Sequence, residues 1–156
     1  MAISDEIFMR EALHQAMKAE AKGEVPIGAI AVLDDAIVGR AHNIREETHN
    51  PLGHAELLLL DKLSREQKKW RLDDVTIYVT CEPCLMCAGA MLQARIPRLV
   101  FGCLDPKAGA CGSLYNVVAD VRLNHQISVE SGVLADDCGR LLTDFFRACR
   151  KKREKI

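Results

Sequence analysis

A chain of 156 residues, of which 49% are hydrophobic and 28% charged, has the composition of one globular domain, which excludes a disordered or fibrous protein. The net charge of −1 does not by itself predict nucleic-acid binding, and since no apolar run reaches the length of a membrane span, no membrane association is expected. The odd number of seven cysteines, behind an N-terminus unlike a signal peptide, favours a reducing compartment and hence a cytoplasmic protein.

The sequence predicts a single domain over residues 1–156, and its first half predicts two helices and a hairpin. A helix is expected from about residue 5 to 22, with Ser4 as its N-cap and apolar residues at helical spacing. The run IGAIAVLDDAIVGR predicts a β-hairpin that turns at Asp34-Asp35. After a polar loop, an amphipathic helix is expected from about His54.

The second half alternates strands with helices. The β-branched run at residues 75–80 predicts a buried strand, and Pro83 suits the first turn of a helix that ends before Pro97. Further elements are expected in the order strand RLVFG, Gly-rich loop DPKAGACGS, short helix, weak strand near 126–129 and a last helix from Ala135. This alternation predicts an α/β fold around a mixed sheet.

The stretch TCEPCLMC places Cys81, Cys84 and Cys87 at intervals of three, 25 to 31 residues after the end of the triplet HAE. With His54, the pair Cys84 and Cys87 supplies three ligands that zinc prefers and leaves a fourth position for water, which is typical of a catalytic zinc site. Glu56, two residues from His54, is suited to moving the protons of that water. The spacing H-x-E…P-C-x-x-C is the signature of zinc deaminases, and it predicts one Zn²⁺ per chain.

Three other roles for the cysteines fit the sequence less well. An iron–sulfur run needs a fourth cysteine followed by proline, and Ala88 to Met91 follow instead. A redox dithiol lacks a thioredoxin-like context. A closed structural zinc would need a fourth ligand and would leave Glu56 without a role, and the candidates for that ligand are Cys81, His49, Cys103 and Cys111.

Motifs along nearly the whole chain resemble one family. They are GEVPIGA, the pair His42-Asn43, HAE, T-x-EPCLMCAGAM, RIPRLVFG and D-x-K-x-G-x-x-GS. In this order and spacing the chain resembles the cytidine-deaminase-like superfamily and, within it, the bacterial tRNA-specific adenosine deaminases. The resemblance implies a three-layer α/β/α fold with a five-stranded mixed sheet, and a homodimer.

The resemblance also implies an activity and a substrate pocket. The expected reaction is hydrolytic deamination of the wobble adenosine, position 34 of a tRNA anticodon, to inosine with release of ammonia, a zinc-activated water being the nucleophile and Glu56 the proton shuttle. In this family pattern Asn43 hydrogen-bonds the purine edge, while Val25 and Pro26 wall the pocket. Judged without the resemblance, Asn43 could cap a loop and Val25 could be a core residue.

The expected partner is the anticodon stem-loop, whose single-stranded bases can be splayed into pockets. Two positions in the Gly-rich loop, Asp105 and Lys107, resemble residues that contact flanking nucleotides, Asp105 through a ribose 2′-OH. Basic residues of the terminal helix would meet phosphates, and these are Arg147, Arg150 and Lys151. The alternative for that helix is a solvated basic end.

The sequence departs from the family pattern at a few positions, and two other functions stay open. Leu52 and Gly53 precede HAE where the family often has Thr and Ala, and Cys81 stands where an apolar residue is usual. Cys103 is a small residue beside the expected pocket. The alternative activity is a zinc-dependent deaminase of a free base or nucleotide, of the guanine or cytosine type. A non-catalytic zinc module that binds RNA or protein would have no use for Glu56.

Overall fold

The computed structural model describes residues 3–154. Its strands are β1 (Gly28–Leu33), β2 (Ala36–His42), β3 (Thr76–Cys81), β4 (Arg98–Cys103) and β5 (Ser128–Glu130). Its α-helices are α1 (Asp5–Ala21), α2 (Arg45–Thr48), α3 (Ala55–Gln67), α4 (Leu85–Gln93) and α5 (Ala135–Glu154), and a short 3-10 helix spans Val117–Ala119. Within the described residues, no helix is long and apolar enough to span a bilayer.

The five strands form one mixed sheet in the order β2-β1-β3-β4-β5. Strand β1 is antiparallel to both β2 and β3, whereas β3, β4 and β5 are parallel. Alternate residues of the strands point to opposite faces, so Ile77 and Val79 pack with α3 and α4 while Tyr78 packs with α1 and α5. The expected three-layer α/β/α fold with a five-stranded mixed sheet is confirmed.

The first helix and the hairpin agree closely with the predictions. Helix α1 ends at Ala21, and Gly23 follows with a φ of 78°, a left-handed conformation that favours glycine. The hairpin turns at Asp34 and Asp35, whose φ values of 50° and 60° are those that a tight two-residue turn requires. Ser4 occupies the N-cap position of α1, but its side chain makes no capping hydrogen bond.

The start of α4 differs from the prediction. Cys84 is the N-cap and the helix begins at Leu85, so Pro83 precedes the helix and does not lie in its first turn. The extended conformation of Cys84 is the reason, with a φ of −77° and a ψ of 176°. This shift gives Cys84 the backbone geometry of a capping residue, and only Cys87 lies within the first helical turn.

A bidentate ion pair ties the start of α1 to the sheet. Arg98 Nη2 lies 2.7 Å from Asp5 Oδ2 and Nη1 donates to Oδ1 at 3.0 Å, while Tyr78 Oη donates to the same Oδ1 at 2.7 Å. The hydrogen bond from Arg98 holds the pKa of Asp5 below its usual value, although partial burial opposes it. The contact therefore favours the folded state only while the Asp5 carboxylate is ionised.

We expect Asp5→Asn to lower the free energy of unfolding by about 1 kcal/mol at pH 7, a value kept small because both side chains are partly exposed. Since the folded pKa is depressed, this stabilisation is complete above the unfolded pKa of about 3.9 and is lost as the pH falls through the folded pKa. Urea unfolding of both proteins from pH 7 to pH 2 measures it. The exposed Asp73→Asn, which breaks only a surface pair with Arg71, is the control. Equal effects of the two substitutions would contradict the prediction.

Candidate active site

Three candidate metal ligands converge where α3 and α4 begin. His54 is the N-cap of α3, Cys84 is the N-cap of α4, and Cys87 lies one turn further along α4. His54 Nδ1 is 3.6 Å from Cys84 Sγ and 3.4 Å from Cys87 Sγ, and all three ligand atoms lie within 4.8 Å of one another. The helices meet here because α3 and α4 pack side by side on the same face of the sheet.

The donor set and its spacing fit a tetrahedral zinc ion. Bond lengths of about 2.3 Å to sulfur and about 2.0 Å to nitrogen place neighbouring tetrahedral ligands roughly 3.5 Å apart. The two distances from His54 Nδ1, 3.6 and 3.4 Å, lie close to that value. Three ligands leave a fourth position for water or substrate, as catalytic zinc sites do.

The electrostatics of the two thiols also suit a cation. The pKa of Cys84 falls to about 3, because the Cys87 thiol, His54 and the backbone N–H of Cys87 donate hydrogen bonds to its sulfur and outweigh partial burial. The hydrogen bond to Cys84 raises the pKa of Cys87 in turn, and burial adds to this effect. His54 has a raised pKa because it donates to Cys84. The low pKa of Cys84 favours its thiolate form, which is the form that binds a metal.

Glu56 is a buried carboxyl group beside these ligands. It is the second residue of α3, only 4% of it is exposed, and it lines the same cavity as His54 and Cys84. Burial raises the pKa of Glu56, an effect that hydrogen bonding and the charge of His54 only partly offset. A raised pKa makes a carboxylate a stronger proton acceptor than an exposed one, and the protonated group can then act as an acid.

A cavity of about 260 Å³ opens above these groups. Of the predicted pocket residues, Val25 and Asn43 line it, as does Asp105, whereas Pro26 is buried and does not contribute to the lining. Sequence reasoning did not single out several of its other lining residues, which are Ile27, Arg45 and Ala108. The walls are thus mainly apolar with a few convergent polar groups, as in small-ligand sites.

Asn43 connects two segments of the pocket wall. Its Oδ1 accepts a hydrogen bond from the Arg45 N–H at 3.0 Å, and its Nδ2 donates to the Val25 carbonyl at 3.2 Å. An amide side chain has two N–H groups and two acceptor lone pairs, so one of each stays available for a ligand. These two hydrogen bonds therefore fix the orientation of the Asn43 amide beside the cavity.

Glu24 is a structural residue of this wall that the sequence did not reveal. It is 1% exposed, and its two oxygens accept hydrogen bonds from the backbone N–H groups of Glu46 and Glu47 at 3.0 and 2.7 Å. These are unpaired donors at the start of α2, a single turn inside the predicted polar loop. Nothing in the local sequence signals this contact, because Glu24 lies more than 20 residues before Glu46 and Glu47 in the chain.

A second cavity of about 580 Å³ adjoins the first. Asp105, Lys107 and Arg150 line it, as does Arg153, which sequence reasoning did not select. From α5 the lining residues are Leu142, Phe146, Cys149, Arg150 and Arg153. Arg147 and Lys151 are exposed and lie outside this lining, since each follows a lining residue and is turned about 100° further round the helix. The structure thus brings three of the five predicted RNA-binding residues to one cavity.

Cys81 lies apart from the ligand group. It ends β3, is 5% exposed and lines both cavities, but it is not a member of the His54 cluster. Its neighbour in the parallel register is Cys103, and a hydrogen bond between the two thiols, together with burial, raises the pKa of Cys81. The evenly spaced cysteines thus separate into a pair at the candidate metal site and one at the pocket wall.

The fold and the site together define a deaminase of the cytidine-deaminase-like class. A family model for MafB19-like deaminases matches residues 3–150. The tRNA-specific adenosine deaminase of Bacillus subtilis (strain 168) is 49% identical over 150 residues, covering 96% of this chain and 93% of the relative. The chain therefore belongs to the MafB19-like deaminase family, in the group of its relatives named tRNA-specific adenosine deaminase.

Other comparisons agree. The tRNA-specific adenosine deaminase of Haemophilus influenzae is 46% identical over 152 residues, covering 96% of this chain and 87% of the relative. A structure from work on A-to-I editing by tRNA:A34 deaminases at the wobble position superposes with a TM-score of 0.84 and 37% identity, covering 87% of this chain and 99% of the other. A guanine deaminase from Nitrosomonas europaea has a TM-score of 0.78 but 19% identity over 93% of this chain and 85% of the other, and shares the fold.

Proposed function

We propose that this protein deaminates the wobble adenosine, position 34 of a tRNA anticodon, to inosine, with water as the second substrate and ammonia as the second product. The observation that carries the proposal is the cluster of His54, Cys84 and Cys87 beside the buried Glu56, at a cavity that opens toward basic residues. Relatives named tRNA-specific adenosine deaminase, 44–49% identical to the chain, support it. We place the reaction in a single domain spanning residues 1–156 and in the cytoplasm.

His54, Cys84 and Cys87 would hold one Zn²⁺ per chain. When bound, zinc supplies a Lewis acid that makes a water molecule nucleophilic near neutral pH. The N-terminal ends of α3 and α4 favour the negative charge of the thiolates, because their free N–H groups and positive dipole ends point toward the site.

Glu56 moves the protons. Its carboxylate accepts a proton from the attacking water and delivers it to N1 of the purine. A second transfer moves the remaining proton of that water from the new C6 hydroxyl to the amine, so that the C6–N bond breaks, ammonia leaves and the C6 carbonyl of inosine forms. Both steps need a group that takes up a proton and gives it back, and burial, which raises the pKa of Glu56, makes its carboxylate a stronger proton acceptor than an exposed one.

The pocket residues orient the base. Asn43 offers its remaining N–H and lone pair to the purine edge, and its bonds to Arg45 and to Val25 keep the amide from rotating. Val25 provides apolar surface against the ring. Pro26 acts from behind the wall by restricting the backbone of the segment that carries Val25.

The second cavity would receive nucleotides next to the reacting base. Asp105 and Lys107 lie on one side of it, and Arg150 on α5 lies on the other. An anticodon loop can present splayed bases and its phosphates to such a surface without the cost of opening a duplex. Arg147 and Lys151, which are exposed on the neighbouring face of α5, would meet phosphates further from the reacting base.

Charge reversal on α5 separates these two kinds of contact. We expect Arg150→Glu to weaken stem-loop binding strongly and to reduce the slope of log K against log salt by about 1, because one phosphate contact is lost. Lys151→Glu, its matched neighbour outside the cavity, should have the smaller effect on affinity. Fluorescence titration of a labelled stem-loop at several salt concentrations measures both. An unchanged salt slope for Arg150→Glu would count against the assigned contact.

A homodimer is part of the proposal, with the outer face of α4 as the contact surface. Leu85 is 49% exposed there, and Gly89 and Gln93 follow on the same face. Two grooves flank this face, one lined by Leu123 and Val117 among others, the other by Trp70 and Leu57 among others. A glycine and an exposed leucine on one helix face, with partly apolar grooves on both sides, suit close contact with a second copy. Sedimentation equilibrium measures the mass of the assembly.

A comparison of substrates tests the proposed function against its closest alternative. Purified protein is incubated with an anticodon stem-loop that carries a wobble adenosine and, separately, with free adenosine, guanine and cytosine, and ammonia release is measured. We expect release from the stem-loop and little from the free compounds. Efficient release from guanine or cytosine, with none from the stem-loop, would replace this proposal with a free-base deaminase.

A further inference from the structure

A further buried carboxylate lies close in the chain to the candidate ligand Cys84 and takes no part in the proton transfers. Glu82 is 3% exposed and stands between Cys81 and Cys84 in the chain. Its Oε1 accepts hydrogen bonds from the Asp105 N–H at 3.1 Å and from the Ser113 hydroxyl. Its Oε2 accepts from the N–H groups of Cys111 and Ser113 at 3.1 and 3.0 Å.

All four donors belong to the Gly-rich segment 105–113, which we call the 105–113 loop. The Glu82 side chain therefore bonds to both ends of the loop at once.

The backbone reinforces this anchor. The Gly109 N–H donates to the Asp105 carbonyl at 2.8 Å, and the Ala110 N–H donates to the Pro83 carbonyl at 2.9 Å. Gly109 lies so close to Glu82 Oε2 that any Cβ at this position would overlap it. The loop thus closes around the Glu82 carboxylate, and only glycine leaves room for it.

The 105–113 loop carries one wall of the second cavity. Asp105 lines both cavities, and Lys107 lines the second. Asp105 Oδ1 already accepts from the N–H groups of Lys107 and Ala108, both at 3.1 Å, which fixes the turn that follows it. The position of this turn relative to the ligand cluster depends on Glu82, because Glu82 immediately follows β3 and precedes Cys84 by two residues.

We propose that Glu82 is a positioning residue that holds the 105–113 loop as the rigid RNA-facing wall of the site, and so determines affinity for the nucleotides that flank the reacting base. The inference rests on the proposed function and deepens it. Glu82 borders the first cavity, but both of its oxygens are taken up by donors of the loop, so it acts through the loop. A preorganised wall saves the ordering cost that a mobile loop would incur on each binding event.

The test compares Glu82→Gln with the exposed control Glu130→Gln. A glutamine turns one acceptor into an N–H donor that faces loop donors, so we expect KM for the anticodon stem-loop to rise about tenfold to a hundredfold. The kcat at saturating stem-loop and the zinc content per chain should stay within about twofold, because the ligands and Glu56 are untouched. Hydrogen exchange at the amides of Asp105, Cys111 and Ser113 should accelerate.

A second pair of variants covers the case in which Glu82→Gln does not fold. Ser113→Ala removes one hydroxyl donor, and Gly109→Ala presses a methyl group against Glu82 Oε2 without changing any charge. Both should raise KM with kcat retained. A double-mutant cycle with Asp105→Asn should be non-additive, since Asp105 can contribute to binding only while Glu82 holds it in place.

Each outcome is decisive. A Glu82→Gln protein with unchanged KM, loss of zinc as the main defect, or strict additivity with Asp105→Asn would overturn the inference. The proposed function fails separately if the wild-type protein does not deaminate the stem-loop. In that case hydrogen exchange of the 105–113 loop still reports whether Glu82 anchors it.

Discussion

Glu56→Gln is expected to lower kcat on the anticodon stem-loop by about 10²–10⁴-fold while one zinc ion per chain stays bound. Glutamine has the size of glutamate but cannot take a proton from water or pass it to purine N1. The site around it should persist, because Glu56 is not one of the three clustered ligand residues. Removing a buried carboxyl whose pKa is raised by burial should also leave the protein at least as stable as before at neutral pH.

Single-turnover kinetics with excess enzyme separate this loss from a binding defect. Glu66→Gln is the matched control, since Glu66 lies on the same helix α3 but is exposed. We expect Glu66→Gln to behave as the wild type. A Glu56→Gln protein that turns over at a rate near the wild-type value would overturn the role of Glu56 as proton shuttle, and a non-catalytic zinc module would then become the better description.

Cys84→Ala should abolish both zinc binding and turnover. It removes the thiolate at the N-cap of α4 and leaves His54 and Cys87 as two ligands, too few for a stable tetrahedral site. Zinc that binds only the folded protein stabilises it by about 3 kcal/mol at a concentration a hundredfold above Kd, so added zinc should raise the Tm of the wild type and not that of the variant. Atomic absorption and thermal unfolding with and without zinc measure these effects.

Cys81→Ala is the matched control for that experiment, because it removes a thiol three residues away that lies outside the ligand cluster. It should retain one zinc per chain. Loss of zinc from Cys81→Ala, with retention by Cys84→Ala, would mean that the wrong pair of cysteines had been assigned.

The elements with strong local signals could be predicted from the sequence. The β-branched run before Cys81 forms β3, and the Asp34-Asp35 turn closes the hairpin as expected. The candidate ligands could be found because zinc prefers histidine and cysteine as ligands, and the spacing H-x-E…P-C-x-x-C is visible in the sequence. The error at Pro83 is of a different kind: proline is compatible with a position just before a helix as well as with its first turn, so it could not decide where α4 begins.

Long-range contacts could not be predicted in the same way. Glu24 and Glu82 look like surface carboxylates in the sequence. In the structure each is buried and accepts hydrogen bonds from backbone N–H groups that lie 20 or more residues away in the chain. The basic end of α5 was visible in composition, whereas its helical phase relative to the cavity was not. Arg150 and Arg153 face the cavity as a result of how α5 packs on β4, and Arg147 and Lys151 do not.

Site-resolved mapping of inosine tests the central claim most directly. The substrate is an anticodon stem-loop with adenosine at position 34 and additional adenosines elsewhere in the loop and stem. After incubation with the zinc-loaded protein, the RNA is digested stepwise from one end, and mass spectrometry of the fragments gives the position of each inosine. The account predicts inosine at position 34 alone, and none in a parallel reaction with Glu56→Gln. Inosine spread over the other adenosines would contradict it, and so would a stem-loop that stays unchanged after incubation with folded, zinc-loaded protein.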